Sequence, residues 1–130
     1  KTNDNFADIT DCLKYNTLNF IAKKGLKIGF VFPVYNFGLP ITVCRFIEKM
    51  KLTLRGNCYI YTVVTYGGFS GGASKILKKK LEEKNLPVNA QYSVRMPDTW
   101  TPAYDLSDKE KVRKRNEKAD AEAEKIIERI

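Results

Sequence analysis

Lys27-Ile28-Gly29-Phe30-Val31-Phe32-Pro33-Val34-Tyr35-Asn36-Phe37-Gly38-Leu39-Pro40 is the stretch that decides the fold. Lys27 to Val34 is nearly continuous in apolar residues, the pattern of a strand covered on both faces in a parallel sheet, and Pro40 fits the first position of a helix. A second unit repeats the plan: Cys58 to Thr65 reads as a buried strand, and Thr65-Tyr66-Gly67-Gly68-Phe69-Ser70-Gly71-Gly72 leads into a helix. Both loops set aromatic rings beside glycines at the carboxyl end of a strand. That is where an open α/β sheet forms its ligand crevice.

Working outward, Ile41, Cys44, Ile47 and Met50 recur at helical spacing after Pro40. A helix near Gly72 carries Ala73, Ile76, Leu77 and Leu81 on one stripe and stops at Asn85-Leu86-Pro87. Val88, Ala90, Tyr92, Val94 and Met96 alternate with Asn89, Gln91, Ser93 and Arg95, the period of a half-exposed strand at a sheet edge. Ser107 and Glu110 read as a capping box for a long final helix with Val112, Ala119, Ala123, Ile126, Ile127 and Ile130 as its docking stripe. Toward the amino end, Phe6 to Ile9 reads as a short strand and Thr10 to Leu13 as a capped helical turn. No internal repeat stands out. Alternating strands and helices with right-handed crossovers predict a doubly wound α/β domain over residues 1–130.

With 130 residues, 43% of them hydrophobic, the chain has the composition of one globular domain with a core. Its apolar runs are far shorter than the roughly 20 residues of a membrane span, and the amino end has no signal-peptide pattern, so a soluble cytoplasmic protein is expected. Cys12, Cys44 and Cys58 form no Cys-x-x-Cys pair, and there is no histidine. A zinc site and a Ser-His-Asp or Cys-His apparatus are therefore excluded, and the cysteines are expected to be reduced and structural.

The net charge is +8, from 23 basic and 15 acidic residues; residues 107–130 hold eight and seven of these, leaving fifteen against eight in the rest. The surplus thus belongs to the body of the domain. It gathers at Lys75, Lys78, Lys79, Lys80 and Lys84 and at Lys23, Lys24 and Lys27. A solvated helix face and a phosphate-binding patch both account for it, and no helix-turn-helix, zinc-finger or RRM signature supports nucleic acid. Gly72-Ala73-Ser74-Lys75 lacks the Gly-Lys-Ser/Thr of a Walker A loop.

Gly29 to Tyr35, Gly38-Leu39-Pro40, Thr65-Tyr66-Gly67-Gly68, Met96-Pro97-Asp98 and Pro102-x-Tyr104-Asp105 occur here in one order. In these motifs the chain resembles the flavodoxin-like domain that prokaryotic proteins fuse to a ferredoxin carrying two four-iron clusters. The likeness runs from about Asp8 to the last helix. It implies a three-layer α/β/α sandwich with a flavodoxin-like parallel sheet, a non-covalent FMN, electron transfer and a ferredoxin-type iron–sulfur partner. An enzymatic role, if there is one, would be that of an FMN-dependent oxidoreductase.

The resemblance further implies that Pro33, Val34, Tyr35, Asn36, Phe37 and Gly38, with Thr65, Tyr66, Gly67, Gly68, Phe69 and Gly71, surround the isoalloxazine. Tyr35, Phe37, Tyr66 and Phe69 are candidates to stack on the ring, where low polarity disfavours the anionic reduced flavin and lowers its potential. Trp100 and Tyr104 either shield the flavin or pack under the last helix. The basic surface near Lys75, Lys78 and Lys79 is expected to dock an acidic redox partner.

One departure from the family stands out. Its domains open with a strand and a Ser/Thr- and Gly-rich phosphate loop, and nothing before Lys27 reads as either. The expectation is a fold lacking its first strand and helix, with Ile28 to Phe32 an unpaired edge open to homodimerisation. Two other classes keep the same core: a flavin-free interaction module and a basic nucleic-acid-binding domain.

Overall fold

The computed structural model describes residues 5–34, 38–98 and 106–130. Three strands form the central sheet: β2 (Lys27–Pro33), β4 (Tyr59–Tyr66) and β5 (Ala90–Arg95), parallel and in the order β2-β4-β5. Each crossover runs through a helix, α2 (Ile41–Lys49) after β2 and α3 (Ala73–Glu83) after β4. The α/β class and parallel sheet expected from the alternating pattern are present, and β5 lies at an edge as its period of two requires.

Two strands were not expected. β1 (Asn19–Lys23) and β3 (Lys51–Arg55) pair in parallel as a separate two-stranded sheet. Only alternate residues of each are even partly buried, and lysine or arginine closes both, so the sequence reads as solvated chain. β1 also lies ahead of Lys27, where the only strand expected was Phe6 to Ile9. Asn19 pairs with Lys51 and Lys27 with Tyr59, an offset of 32 residues in both ladders. Between them Gly25 N–H donates to Asn57 O at 2.8 Å and Tyr59 N–H to Leu26 O at 2.9 Å, so the pairing continues through the turns.

The first residues of α1 (Ile9–Lys14), α2 and α3 are 32 apart as well. Ile-Thr-x-Cys begins both α1 and α2. A structural repeat is therefore present where none was expected, carried by geometry and by very few identical residues.

The sheet has two dissimilar faces. Phe30 and Phe32 of β2, with Ile60 and Val64 of β4, pack against Cys12 of α1, Val43, Phe46 and Ile47 of α2, and Ala73, Leu77 and Leu81 of α3. The opposite face meets only α4 (Lys109–Arg129), where Ala119 and Ile126 close on Val94 of β5, with Val63 and Tyr92 beside them. Helices thus lie on both sides of the sheet. α4 covers the β4–β5 half, and Val31 of β2 on that face stays 59% exposed. The outer flank of β2 pairs with no strand among the described residues.

Several local expectations shift. Phe6 to Ile9 is not a strand: Phe6 is exposed, and Asp8 caps α1 by accepting from the Thr10 and Asp11 amides at 2.8 and 3.0 Å. Pro40 is the N-cap of α2 and not its first residue, and the buried face is Val43, Phe46 and Ile47, leaving Ile41 exposed. Asp108 replaces Ser107 as the α4 cap, and Glu110 binds Arg113 instead of closing a capping box. Ile127 falls outside the docking stripe.

α3 ends as expected. Asn85 takes φ +60°, Leu86 N–H reaches Leu81 O and Asn85 N–H reaches Glu82 O, a Schellman motif sealed by Leu86 burying against Leu81. Asn89 then starts the third strand's pairing: its side chain accepts from Ile60 N–H and its own N–H donates to Ile60 O, both at 2.8 Å. No helix among the described residues is long and apolar enough to cross a membrane.

Two groups in β4 yield measurable consequences. Thr62 is fully buried, and its hydroxyl has no hydrogen-bond partner among the described residues. Thr62→Val keeps the shape and removes the orphan, so the urea midpoint should rise, by about 1 kcal/mol of stability. On the α4 side the Tyr61 ring lies where a side chain on Gly29 would stand, and Tyr59 bonds the Tyr92 hydroxyl.

That bond, followed by burial, raises the Tyr59 pKa above the ordinary 10.0. The associated stability is complete below the ordinary tyrosine pKa and is lost as pH rises through the raised one. In an absorbance titration, Tyr92→Phe should bring the late-ionising phenol back to the ordinary range.

Candidate functional site

Parallel pairing sets the carboxyl ends of β2, β4 and β5 on one edge, with Pro33 opposite Thr65, Thr65 opposite Val94, and Tyr66 opposite Arg95. Hydrogen bonding continues beyond the strands. Val34 N–H donates to Thr65 O at 2.9 Å, and Met96 N–H donates to Tyr66 O at 2.7 Å. The starts of the two loops, at Val34 and Thr65, are therefore neighbours, as expected. Val34, Gly38, Thr65, Tyr66, Gly67, Gly68 and Gly71 are half-buried, whereas Pro33 and Phe69 are exposed. Tyr35, Asn36, Phe37, Trp100 and Tyr104 lie outside the described residues.

Asp98 and Arg95, to which the sequence reading attaches no role, organise the second loop. Gly68 N–H donates to Asp98 Oδ2 at 2.8 Å, and Arg95 Nε donates to Gly67 O at 3.1 Å. A side chain on Gly67 would collide with the Asp98 carboxylate, so only glycine permits this approach. These bonds occupy Gly67 C=O and Gly68 N–H. Gly67 N–H and Gly68 C=O make no hydrogen bond among the described residues. The loop is thus pinned on its β5 side and offers one main-chain donor and one acceptor. The sequence signals for Asp98 are its place three residues beyond the end of β5, next to Pro97, and its membership of the Met96-Pro97-Asp98 motif.

Comparison with protein-family models, with curated proteins and with solved structures finds no match.

The same edge is electropositive. α2 and α3 both begin there with no side-chain cap and no acidic residue in the first turn, so the positive ends of two helix dipoles stand unneutralised. By contrast α1 and α4 are capped by Asp8 and Asp108. A shallow cleft of about 170 Å³ adjoins Gly67, between the end of β5 and the start of α4, and is lined by Arg95, Asp98, Lys111 and Arg115.

Farther down α3 the charge is paired. Lys78 lies 3.7 Å from Glu82, Lys79 lies 4.0 Å from Glu83, and Lys80 binds Glu48 of α2 at 3.2 Å. The Glu48 hydrogen bond raises the Lys80 pKa. The expected patch at Lys75, Lys78 and Lys79 therefore contracts toward Lys75, beside the crevice. Cys12 is buried, Cys44 and Cys58 are half-buried, and Cys58 Sγ donates to Lys23 O at 3.2 Å. No cluster of three or more potential metal ligands occurs among the described residues.

Removing the carboxylate that holds the loop should release it. Asp98→Ala is expected to cost about 1–3 kcal/mol of stability in denaturant unfolding and to speed hydrogen exchange at the Gly68 amide, leaving the α1 amides unchanged.

Proposed function

We propose that this chain is a flavodoxin-like FMN-binding domain that exchanges electrons with an iron–sulfur partner. The observation that carries the reading is the pinned Thr65–Gly68 loop beside Val34 at the end of β2, with Gly67 N–H and Gly68 C=O making no hydrogen bond among the described residues. The pyrimidine edge of an isoalloxazine alternates acceptors with one N–H donor, so a rigid main-chain donor and acceptor complement it. Pinning removes the entropic cost of ordering those groups on binding.

Gly67 and Gly68 bring the backbone close, while Val34 and Tyr66, with the aromatic residues of the first loop, would flank the ring. FMN would supply one- and two-electron transfer; the protein's part is to hold the ring, exclude water and set its polarity. The dipole ends of α2 and α3 oppose loss of negative charge from the ring.

The fit covers the ring but not the phosphate, because the glycine- and hydroxyl-rich stretch among the described residues, Thr65 to Gly72, is the one that would hold the ring. This chain should therefore bind riboflavin and FMN with affinities within about threefold of each other, a difference of under 1 kcal/mol. Titration followed by quenching of flavin fluorescence decides it. Gly67→Val, which drives a side chain into Asp98 and blocks the main-chain groups, should weaken both flavins by about tenfold or more. No binding of either flavin, or undiminished binding by Gly67→Val, would overturn the ring site. A strong preference for FMN would instead place a phosphate cradle within this chain.

A further inference from the structure

We infer that the crevice rim formed by the first turns of α2 and α3 and the tip of the Thr65–Gly72 loop is the docking surface for a small acidic electron carrier. The carrier would present carboxylates around an apolar centre. This rests on the flavin reading for its purpose, though not for its geometry.

Three exposed apolar side chains stand at this edge: Ile41, 70% exposed, at the start of α2, Phe69, 65%, in the loop, and Ile76, 43%, in the first turn of α3. Ile76 reaches back over Gly72, toward the loop and away from the core. α2 and α3 follow neighbouring parallel strands and pack on the same sheet face, so their first turns share one rim. Apolar groups gathered at a crevice mouth mark a contact surface more than a folding requirement.

The charge around them has one sign. Arg45 lies one turn beyond Ile41, and Lys75 adjoins Ile76; both are exposed, and neither forms an ion pair among the described residues. The uncapped amino termini of α2 and α3 add two positive dipole ends. Lysines farther along α3 pair with Glu82, Glu83 and Glu48. Arg45 and Lys75 therefore leave unpaired positive charge beside the apolar side chains. A carboxylate-ringed partner is the complement of that arrangement, and such complementarity speeds encounter and orients it.

Mixing the isotopically labelled, flavin-free chain with a small acidic two-cluster ferredoxin tests this, because the clusters broaden the amide signals they approach. Broadening is expected in the first turns of α2 and α3 and at Gly68 to Gly72, and should fade as salt rises. The double variant Arg45→Glu/Lys75→Glu should weaken binding by about tenfold or more at low salt, whereas Lys79→Glu, one turn away and already paired, should change it by less than about threefold. Ile41→Ser/Ile76→Ser should weaken it at every salt concentration.

Broadening centred elsewhere, or equal effects of Lys79→Glu and the double reversal, would overturn the assignment. So would a dimer in sedimentation that Ile41→Ser/Ile76→Ser dissociates, which would give the rim to a second copy. Docking without flavin binding would sink the flavin reading alone; flavin binding without docking would sink this one alone.

Discussion

Parallel pairing between β2 and β4 is the constraint on which the rest depends. A parallel neighbour requires a crossover, which α2 supplies by returning the chain to the edge from which β2 started. Both strands then end on the same edge, and loops separated by more than 25 residues of sequence become neighbours. The Val34 to Thr65 bond is the last rung of that ladder and the first contact of the crevice. Burial and site geometry thus arise from one hydrogen-bonded pair, with Ile60 and Val64 fully buried beneath the helices that the crossovers create.

The strong elements were legible because their pattern has one solution. β2 and β4 are apolar almost throughout, which marked them as strands, although β2 is covered on one face only and Val31 on the other stays exposed; β5 alternates because one of its faces is polar. β1 and β3 were not legible, since five residues with one or two cations each carry no period that outweighs their polarity. The error in the α2 face has a similar cause. Ile41 and Cys44 fit a helical stripe as well as Val43 and Phe46 do, and only packing against Phe20 and the sheet selects the latter. In the site, glycine-rich loops were visible from composition. Asp98 and Arg95 were not, because their partners lie about 30 residues away and are main-chain atoms, which a sequence does not display.

Net charge proved a poor guide until the pairings were seen. Seven ion pairs occur among the described residues, mostly three or four residues apart on α3 and α4, and exposed pairs of this kind contribute little stability. Their larger effect is on the surface potential. They offset cations along α3 and α4, whereas Arg45 and Lys75 near the starts of α2 and α3, and Lys23, Lys24 and Lys27 around the β1–β2 turn, form no ion pair among the described residues.

The constant offset of 32 residues couples the lengths of segments far apart in sequence. The β1–β2 arm and the β3–β4 arm turn together, at residues 24–26 and 56–58, with hydrogen bonds joining the two turns. Deleting one residue from either arm ahead of its turn would move every later side chain of that arm to the opposite face, exchanging Phe30 and Phe32 for Val31. The same deletion in the other arm at the matching position would restore the pairing between the arms but leave the side chains of both on the wrong face. Register in this part of the protein is therefore fixed twice, by the ladder between the arms and by the face that both present to the helices.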